Sequence, residues 1–181
     1  MRKVFFGLEI PAEIKDRLLQ VRAELAGASW QTVEQMHLTL LFLGDMEKER
    51  LLAVCEAARD ISLATFKLNV ASLGCFGQPH AAKHLWAGVQ PQAPVISLHS
   101  AIKSQMERLA IETERRAYCP HITLARFKPA LGSVECLLAE HSETLFGSFQ
   151  VDEFVLFETQ QCSGGSVYTV LERFPVRRTE V

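Results

Sequence analysis

The chain has 181 residues, of which 48% are apolar and 22% charged, and 19 Lys and Arg oppose 21 Asp and Glu to give a net charge of −2. This composition is typical of a soluble globular domain and excludes a disordered chain. A sequence pI near 6.3 and the lack of a long Lys or Arg run exclude a protein that coats duplex nucleic acid through bulk charge. A local phosphate site is compatible with this balance.

The apolar pattern predicts a mixed chain in which strands and helices alternate. The predicted strands cover residues 2–10, 36–43, 66–73, 83–89, 121–127, 149–158 and 166–174. The predicted helices cover residues 12–26, 47–59, 94–110 and 134–142. Trp30 begins a linker, Gly44-Asp45 closes the second strand, and Ser163-Gly164-Gly165 is a hairpin turn. No Pro-, Ser- or Gly-rich linker divides the chain, so we expect residues 1–181 to form a single domain whose two lobes share one core.

The cysteines and the first residues indicate a compartment. Five cysteines are widely spaced without a C-x-x-C pair, a pattern that fits neither a disulfide framework nor a structural zinc site. The opening apolar run, residues 4–8, is too short for a signal peptide and is predicted to be the first strand. No stretch reaches the roughly 18 apolar residues of a membrane span. We therefore expect a reduced cytoplasmic protein with no membrane partner.

One short motif occurs twice, as His37-Leu38-Thr39-Leu40 and His121-Ile122-Thr123-Leu124, 84 positions apart (121 − 37). Chance alone gives about 0.3 His-x-Thr pairs in a chain with six His and nine Thr. Residues i and i+2 of a strand share a face, so each His projects together with its Thr. A single copy is explained by a half-buried strand histidine beside a threonine of high β propensity. Packing does not require the pair twice, so the repeat indicates a cleft in which two imidazoles and two hydroxyls converge.

Two imidazoles can serve as a general acid and a general base, because the ordinary pKa of histidine, near 6.5, allows one neutral and one protonated ring. Two hydroxyls can donate hydrogen bonds to phosphate oxygens and stabilise their charge in a transition state. Zinc, the main alternative for paired histidines, usually needs a third protein ligand, and only Cys119 stands near either motif. The motifs therefore predict phosphoryl chemistry without a metal or another cofactor.

The paired motifs resemble those of the 2H phosphoesterase superfamily. The wider sequence is similar to its bacterial LigT-like branch, the RNA 2′,3′-cyclic phosphodiesterases that are also called 2′-5′ RNA ligases. The matching stretches are spread along the whole chain, at residues 4–11, 37–44, 85–89, 120–126, 146–149 and 164–171. The resemblance implies an α+β fold with two pseudo-symmetric lobes, each with an antiparallel sheet, around a central cleft.

The resemblance also implies an activity, the hydrolysis of a 2′,3′-cyclic phosphate at an RNA end to a 2′-phosphate. His37 matches the proton donor of the family and His121 the proton acceptor, while Thr39 and Thr123 would hold the phosphate oxygens. The implied partners are RNA ends with a 2′,3′-cyclic phosphate, such as tRNA halves, or small cyclic nucleotides. We expect a monomer.

Phe42 and Arg126 occupy equivalent positions, five residues beyond each His. Strict strand alternation turns both away from the histidines, which makes Phe42 a core residue and Arg126 a solvated strand end. The resemblance implies instead that an Arg there lies in the site, and an aromatic ring opposite a guanidinium would clamp a terminal base. Direct contact then needs a bulge or a strong twist. Tyr168 also matches a family position, without a role that we can assign.

The other histidines carry no predicted function. His80 and His84 have H-x-x-x-H spacing, but the preceding Gln78-Pro79 indicates a turn rather than a zinc-binding helix. His99 and His141 fall in predicted helices and are expected at the surface.

Other functions stay open beside hydrolysis. The chain has no Lys-x-Asp-Gly motif and no P-loop, so a 2′-5′ RNA ligase would have to be ATP-independent. A non-catalytic module that binds RNA ends is a further alternative. A small cyclic nucleotide or an ADP-ribose cyclic phosphate could replace RNA as the substrate.

Overall fold

The computed structural model describes residues 1–128 and 132–176. Its strands are β1 (Arg2–Leu8), β2 (Ala28–Trp30), β3 (Leu38–Met46), β4 (Phe66–Gln78), β5 (Ala81–Gln90), β6 (Ile122–Phe127), β7 (Leu145–Val151), β8 (Glu153–Cys162) and β9 (Gly165–Pro175). Its helices are α1 (Ala12–Leu19), α2 (Lys48–Arg59), α3 (Ala93–Arg108) and α4 (Glu135–Glu140), with a 3₁₀ turn at Val33–Gln35. The predicted α+β class with antiparallel sheets is confirmed.

The strands form two antiparallel halves that meet at the two motifs. The first half has the order β3-β1-β8-β9 and the second has the order β7-β4-β5-β6, with the short β2 added to β6. In the described part of the chain, β3 and β6 are joined in register through one pair, Leu38 opposite Ile122. These are the middle residues of the two His-x-Thr motifs, so the motifs lie side by side where the two halves of the sheet meet.

The halves of the sheet are not the halves of the sequence. Strands β4 and β5 follow β3 in the chain but pair in the half that contains β6. Strands β8 and β9 come last and pair back onto β1. The two motif strands each follow a helix in the chain, α1 before β3 and α3 before β6, but the order of the segments in the sequence does not show which strands pair.

Several predicted boundaries are wrong. The first helix ends at Leu19 instead of residue 26, and the linker after Trp30 is preceded by the short strand β2. Gly44 and Asp45 lie inside β3, where Gly44 adopts a φ of 79° that glycine tolerates. The predicted strand 149–158 is two strands separated at Asp152, and they belong to different halves of the sheet. Its apolar pattern continues across the break because both strands bury side chains.

The main core fills the space between the helices and one face of the sheet. Phe6 of β1 is fully buried there and packs edge-on against Phe154 and Phe174 of the neighbouring strands. Successive strand residues alternate in direction, so Phe5 points to the other face. There it forms a second, smaller buried cluster with Val155 and Phe157. This second cluster supports one side of the site described below.

Candidate active site

His37 lies one residue before β3, and both of its ring nitrogens have partners. Nδ1 is 2.8 Å from the carbonyl oxygen of Gln35. A carbonyl only accepts, so Nδ1 carries a proton and donates it. Nε2 is 2.9 Å from Oγ1 of Thr39, the hydroxyl of the same motif. Nε2 is therefore the atom of His37 that can gain or lose a proton.

Gln35 is itself held from two sides. Its side-chain oxygen accepts a hydrogen bond from the backbone N–H of Thr32, which closes the 3₁₀ turn. Its side-chain nitrogen donates to the carbonyl of Ser166 in β9, at 3.0 Å. The carbonyl that orients His37 thus belongs to a residue that is bonded to a distant strand.

His121 stands one residue before β6 in the equivalent arrangement. Its Nδ1 donates to the carbonyl of Cys119, two residues earlier, at 2.7 Å. The second motif therefore fixes the same tautomer as the first and leaves Nε2 free to exchange a proton. Each His and its Thr project from the same face of the sheet, as the strand period predicts, and the Leu38–Ile122 pair brings the two motifs side by side.

A β-bulge changes the direction of the side chains after each motif. Gly7 pairs with Thr39 and Phe6 with Leu41, so Leu40 is an extra residue in β3. In the second copy, Trp86 pairs with Thr123 and Leu85 with Ala125, so Leu124 is the extra residue. A bulge shifts the alternation by one residue. Phe42 and Arg126 consequently face the same side of the sheet as the histidines.

Aromatic rings surround both imidazoles, but the two surroundings differ. The His37 ring centroid lies 4.9 Å from that of Phe5 and 4.8 Å from that of Tyr168. Phe5 in turn contacts Phe42, whose ring is 52% exposed. The core position that strict strand alternation gives Phe42 is therefore wrong, and the open face of its ring is available to a ligand.

The rings around His121 come from the second half of the sheet. Phe76 of β4 meets the His121 ring edge-on at 4.8 Å, and Trp86 of β5 lies 6.0 Å away. The Trp86 indole covers Gly74, where a Cβ atom would lie only 2.2 Å from the ring. His84 is on the same face of β5, directly opposite Arg126, and its ring approaches Phe76 at 6.1 Å.

Two backbone carbonyl groups at the bulge in β3 accept hydrogen bonds from side chains. Tyr118 donates its hydroxyl to the carbonyl of Thr39 at 2.8 Å, and His99 Nδ1 donates to the carbonyl of Leu40 at 2.7 Å. The two rings stack at 4.0 Å with an interplanar angle of 6°. The prediction that His99 is a surface residue is therefore wrong, because α3 directs it onto the motif strand.

The charged side chains that act on the two imidazoles are cations. The pKa of His37 is lowered to about 4, chiefly by burial and in smaller part by the charges of Arg126, Lys15 and His121, against the opposing hydrogen bond to Gln35. Burial and Arg126 also lower the pKa of His121, against its hydrogen bond to the Cys119 carbonyl. Within the described residues, no carboxylate contributes to either shift. Such a field favours an anionic ligand, whose charge would raise both pKa values again.

Sequence reasoning identified the motif residues but missed most of their surroundings. The missed residues come from strands that are distant from the motifs in the sequence; they are Phe5, Phe76, His84, Trp86 and Phe157. The charge of Lys15, on α1, also acts on His37. The alternation of His84 and Trp86 on one face of a predicted strand was the available signal. It gains meaning only once β5 is known to lie beside β6.

The described ranges contain no group of three or more His, Cys, Asp or Glu side chains placed to hold a metal ion. Two surface depressions lie away from the motifs, one bounded by residues 8–11 and 149–153 and the other by residues 22–30. Neither depression includes a residue of the two motifs, so the candidate site is identified by its side chains and not by a pocket. In the part of the chain that the structure describes, no helix is both long and apolar enough to cross a membrane.

Comparisons with known proteins identify the family of this chain. The chain is similar to an RNA 2′,3′-cyclic phosphodiesterase of Archaeoglobus fulgidus, with 24% identity over 95% of this chain and 99% of that protein. It is 29% identical to the protein of the same name from Escherichia coli K12, over 96% of both chains.

Solved structures give the same result. The crystal structure of E. coli LigT complexed with 3′-AMP has a TM-score of 0.81 and 25% identity, covering 98% of this chain and 99% of that chain. The structure of TT0787 from Thermus thermophilus also has a TM-score of 0.81 and 25% identity, covering 98% of this chain and all of that chain. The family model described as LigT-like phosphoesterase matches residues 8–86 and 88–168, which include both motifs. The chain belongs to the LigT-like phosphoesterase family.

Proposed function

We propose that this protein is an RNA 2′,3′-cyclic phosphodiesterase that hydrolyses a terminal 2′,3′-cyclic phosphate to a 2′-phosphate and a free 3′ hydroxyl. The observation that carries the proposal is the adjacency of the two motifs, since both present a histidine Nε2 and a threonine hydroxyl on one face of the sheet. Relatives named RNA 2′,3′-cyclic phosphodiesterase, at 22–29% identity, support the same reaction.

In the proposed mechanism His121 is the general base and His37 the general acid. Nε2 of neutral His121 takes a proton from water, and the water oxygen forms a bond to phosphorus. The bond between phosphorus and the 3′ oxygen breaks, and Nε2–H of protonated His37 gives its proton to that oxygen. The Gln35 and Cys119 carbonyls hold both rings in the tautomer that exposes Nε2. This fixed orientation avoids reorganisation during the reaction.

The negative charge of the substrate phosphate is needed to protonate His37, which is neutral in the free site. With a pKa of about 4, His37 is neutral at pH 7 in the free protein, and its Nε2 accepts from Thr39. The negative charge of the cyclic phosphate raises the pKa of His37 toward protonation. Thr39 then turns its hydroxyl from His37 to a phosphate oxygen, and Thr123 donates to another. Substrate binding thereby creates the general acid.

Phe42 and Arg126 are proposed as substrate-binding residues on opposite halves of the sheet. The exposed ring of Phe42 offers a stacking face for the terminal base. The guanidinium of Arg126 adds positive charge that the site needs for an anionic ligand. The expected partners are RNA ends with a 2′,3′-cyclic phosphate, in agreement with the nucleotide complexes of E. coli LigT. The five free cysteines support a cytoplasmic location, where thiols remain reduced.

The test is turnover of a short RNA with a 2′,3′-cyclic end by the His37→Ala and His121→Ala variants. Each should lose roughly 10²–10⁴-fold in kcat, the usual contribution of a general acid or base. His80→Ala, which alters an exposed histidine in the β4–β5 turn, serves as the matched control and should retain full activity. Phosphorus NMR of the product should give a 2′-phosphomonoester.

Each other outcome has a definite meaning. Near-normal turnover by either motif variant would refute the two-histidine mechanism. Tight binding of the RNA end without turnover by the unaltered protein would favour a binding module. Joining of the RNA to a second strand with a 5′ hydroxyl, without ATP, in place of hydrolysis would favour the ligase.

A further inference from the structure

His84 and Arg126 form a pair that neither motif explains. They are directly opposite each other on β5 and β6, on the face that carries both catalytic histidines. Side chains in such cross-strand pairs have Cβ atoms about 5 Å apart. Phe76 contacts the rings of both His84 and His121, which places His84 at the edge of the site.

The two halves of the sheet differ most at this pair. The sheet register makes Phe5 the counterpart of His84 and Phe42 the counterpart of Arg126, because each pair follows its bulge by the same number of residues. One half therefore has the exposed ring of Phe42 resting on the buried ring of Phe5, and the other half has an imidazole beside a guanidinium. A ligand that matches this asymmetry has a flat apolar group at one end and an anionic group at the other.

The electrostatics of the pair call for an anion. Like-charged residues directly opposite each other on neighbouring strands destabilise a sheet. Burial and the charges of Arg126, His121 and Lys83 lower the pKa of His84, with no carboxylate among the described residues to oppose them, so the pair disfavours a second positive charge. Among the salt bridges of the described residues, none includes His84 or Arg126. A negatively charged ligand would favour protonation of His84 and accept hydrogen bonds from both side chains.

An RNA end offers one group of this kind at the right distance. Because Leu124 is the extra residue of the bulge, Arg126 is the next residue after Thr123 whose side chain lies on the site face. The two positions are therefore separated by about the length of two regular strand residues, roughly 7 Å. That spacing is comparable to one nucleotide of backbone. When the cyclic phosphate lies at Thr39 and Thr123, the terminal nucleotide carries one other negative group, the phosphate on its 5′ oxygen.

We propose that His84 and Arg126 bind the phosphate on the 5′ oxygen of the terminal nucleotide, so that the protein prefers oligonucleotide ends to mononucleoside 2′,3′-cyclic phosphates. The inference depends on the proposed function, because it places the cyclic phosphate at the two motifs. In this scheme the protein selects its substrate by two groups, the cyclic phosphate and the 5′ phosphate that links the terminal nucleotide to the rest of the RNA. His84 is a substrate-binding residue in this scheme and takes no part in proton transfer.

The experiment compares two substrates that differ only in the 5′ phosphate, adenosine 2′,3′-cyclic phosphate and its 5′-phosphorylated form. We expect the unaltered protein to have a kcat/KM about tenfold higher for the 5′-phosphorylated substrate, the usual size of a charge-assisted hydrogen bond. His84→Phe, which installs the residue found at the equivalent position of the first half, should reduce this ratio to near one. Both substrates contain the cyclic phosphate, so the ratio of their kcat/KM values isolates the contact with the 5′ phosphate from any loss of activity that the variant shows on both.

Two further variants sharpen the result. His84→Gln retains a hydrogen-bond donor and should keep part of the preference. His80→Phe makes the same chemical change at an exposed histidine in the β4–β5 turn and should keep all of it.

The outcomes separate this inference from the proposed function. Failure of the unaltered protein to hydrolyse either substrate would contradict the proposed function itself. Equal kcat/KM for both substrates, with normal turnover, would overturn the inference alone. An equal loss on both substrates in His84→Phe would also overturn it, because His84 would then act by supporting His121.

Discussion

Gly74→Ala tests whether the indole of Trp86 holds His121 in its working position. A Cβ atom at Gly74 would lie 2.2, 2.4 and 2.6 Å from three carbon atoms of the Trp86 ring, whereas ordinary contacts begin at 3.4 Å. The ring must therefore retreat by more than 1 Å. Because Trp86 contacts both Phe76 and His121, we expect that movement to displace His121, the proposed general base.

The expected effects on stability and rate can be separated. Overpacking of this kind costs about 1–3 kcal/mol, which lowers Tm by roughly 2–12 °C in a chain of this size. A displacement of about 1 Å at a catalytic group can cost about 10²-fold in rate. We therefore expect kcat to fall by about that factor at a temperature where the variant is fully folded, with thermal denaturation and cyclic-phosphate turnover as the two assays.

A matched control and a double variant make the prediction sharper. Gly164→Ala adds the same methyl group in the β8–β9 turn, where it meets no atom within 4 Å, and should change neither quantity. In a Trp86→Leu background the ring is absent, so adding Gly74→Ala should cost little more, a strongly non-additive result. Normal kcat in the single variant, or full additivity in the double one, would refute the proposed coupling between Gly74 and His121.

Three other predictions concern the motif strand and its charges. Tyr118→Phe removes the hydrogen bond to the Thr39 carbonyl but keeps the stacking ring, so we expect the free energy of unfolding to fall by about 1–2 kcal/mol in denaturant titrations; an unchanged midpoint would contradict this role. The pKa of His37 is about 4 when folded and near 6.5 when unfolded, so the unfolded chain takes up the proton first as pH falls. About 3 kcal/mol of stability should be lost between pH 6.5 and 4, and His37→Gln should remove that part of the slope. Arg126→Gln removes a charge that lowers the pKa of both His37 and His121, so both limbs of the kcat/KM profile should move to higher pH, and limbs that stay in place would exclude the effect.

The sequence predicted the motif residues because their signal is local. A His and a Thr two positions apart share a strand face wherever the strand lies, and the repeat of the pair identified the site. The α+β class also follows from local periods of hydrophobicity. The Phe42 and Arg126 positions needed more information, because the extra residue in each bulge lies between two apolar neighbours and leaves no mark in the pattern.

The remaining errors have non-local causes. The break at Asp152 is invisible in the pattern because β7 and β8 both bury side chains while pairing with different partners. His99 and Tyr118 reach the motif strand only because α3 and the segment before β6 pack beside it. His84 has a meaning only as the neighbour of Arg126. Each of these features depends on which segments meet in space.

The order of the strands has a consequence for how the site is assembled. His37 is in the first quarter of the chain, yet its ring rests on Phe5 from one end and on Tyr168 from the other, 163 positions apart. Such long-range closure slows folding, because its entropy cost comes before its contacts form. During synthesis the surroundings of His121 emerge from the ribosome well before those of His37 are complete. The surroundings of His37, the proposed general acid, are thus completed last, and a chain that stops short of β9 would carry both motifs without the Tyr168 ring that packs against His37.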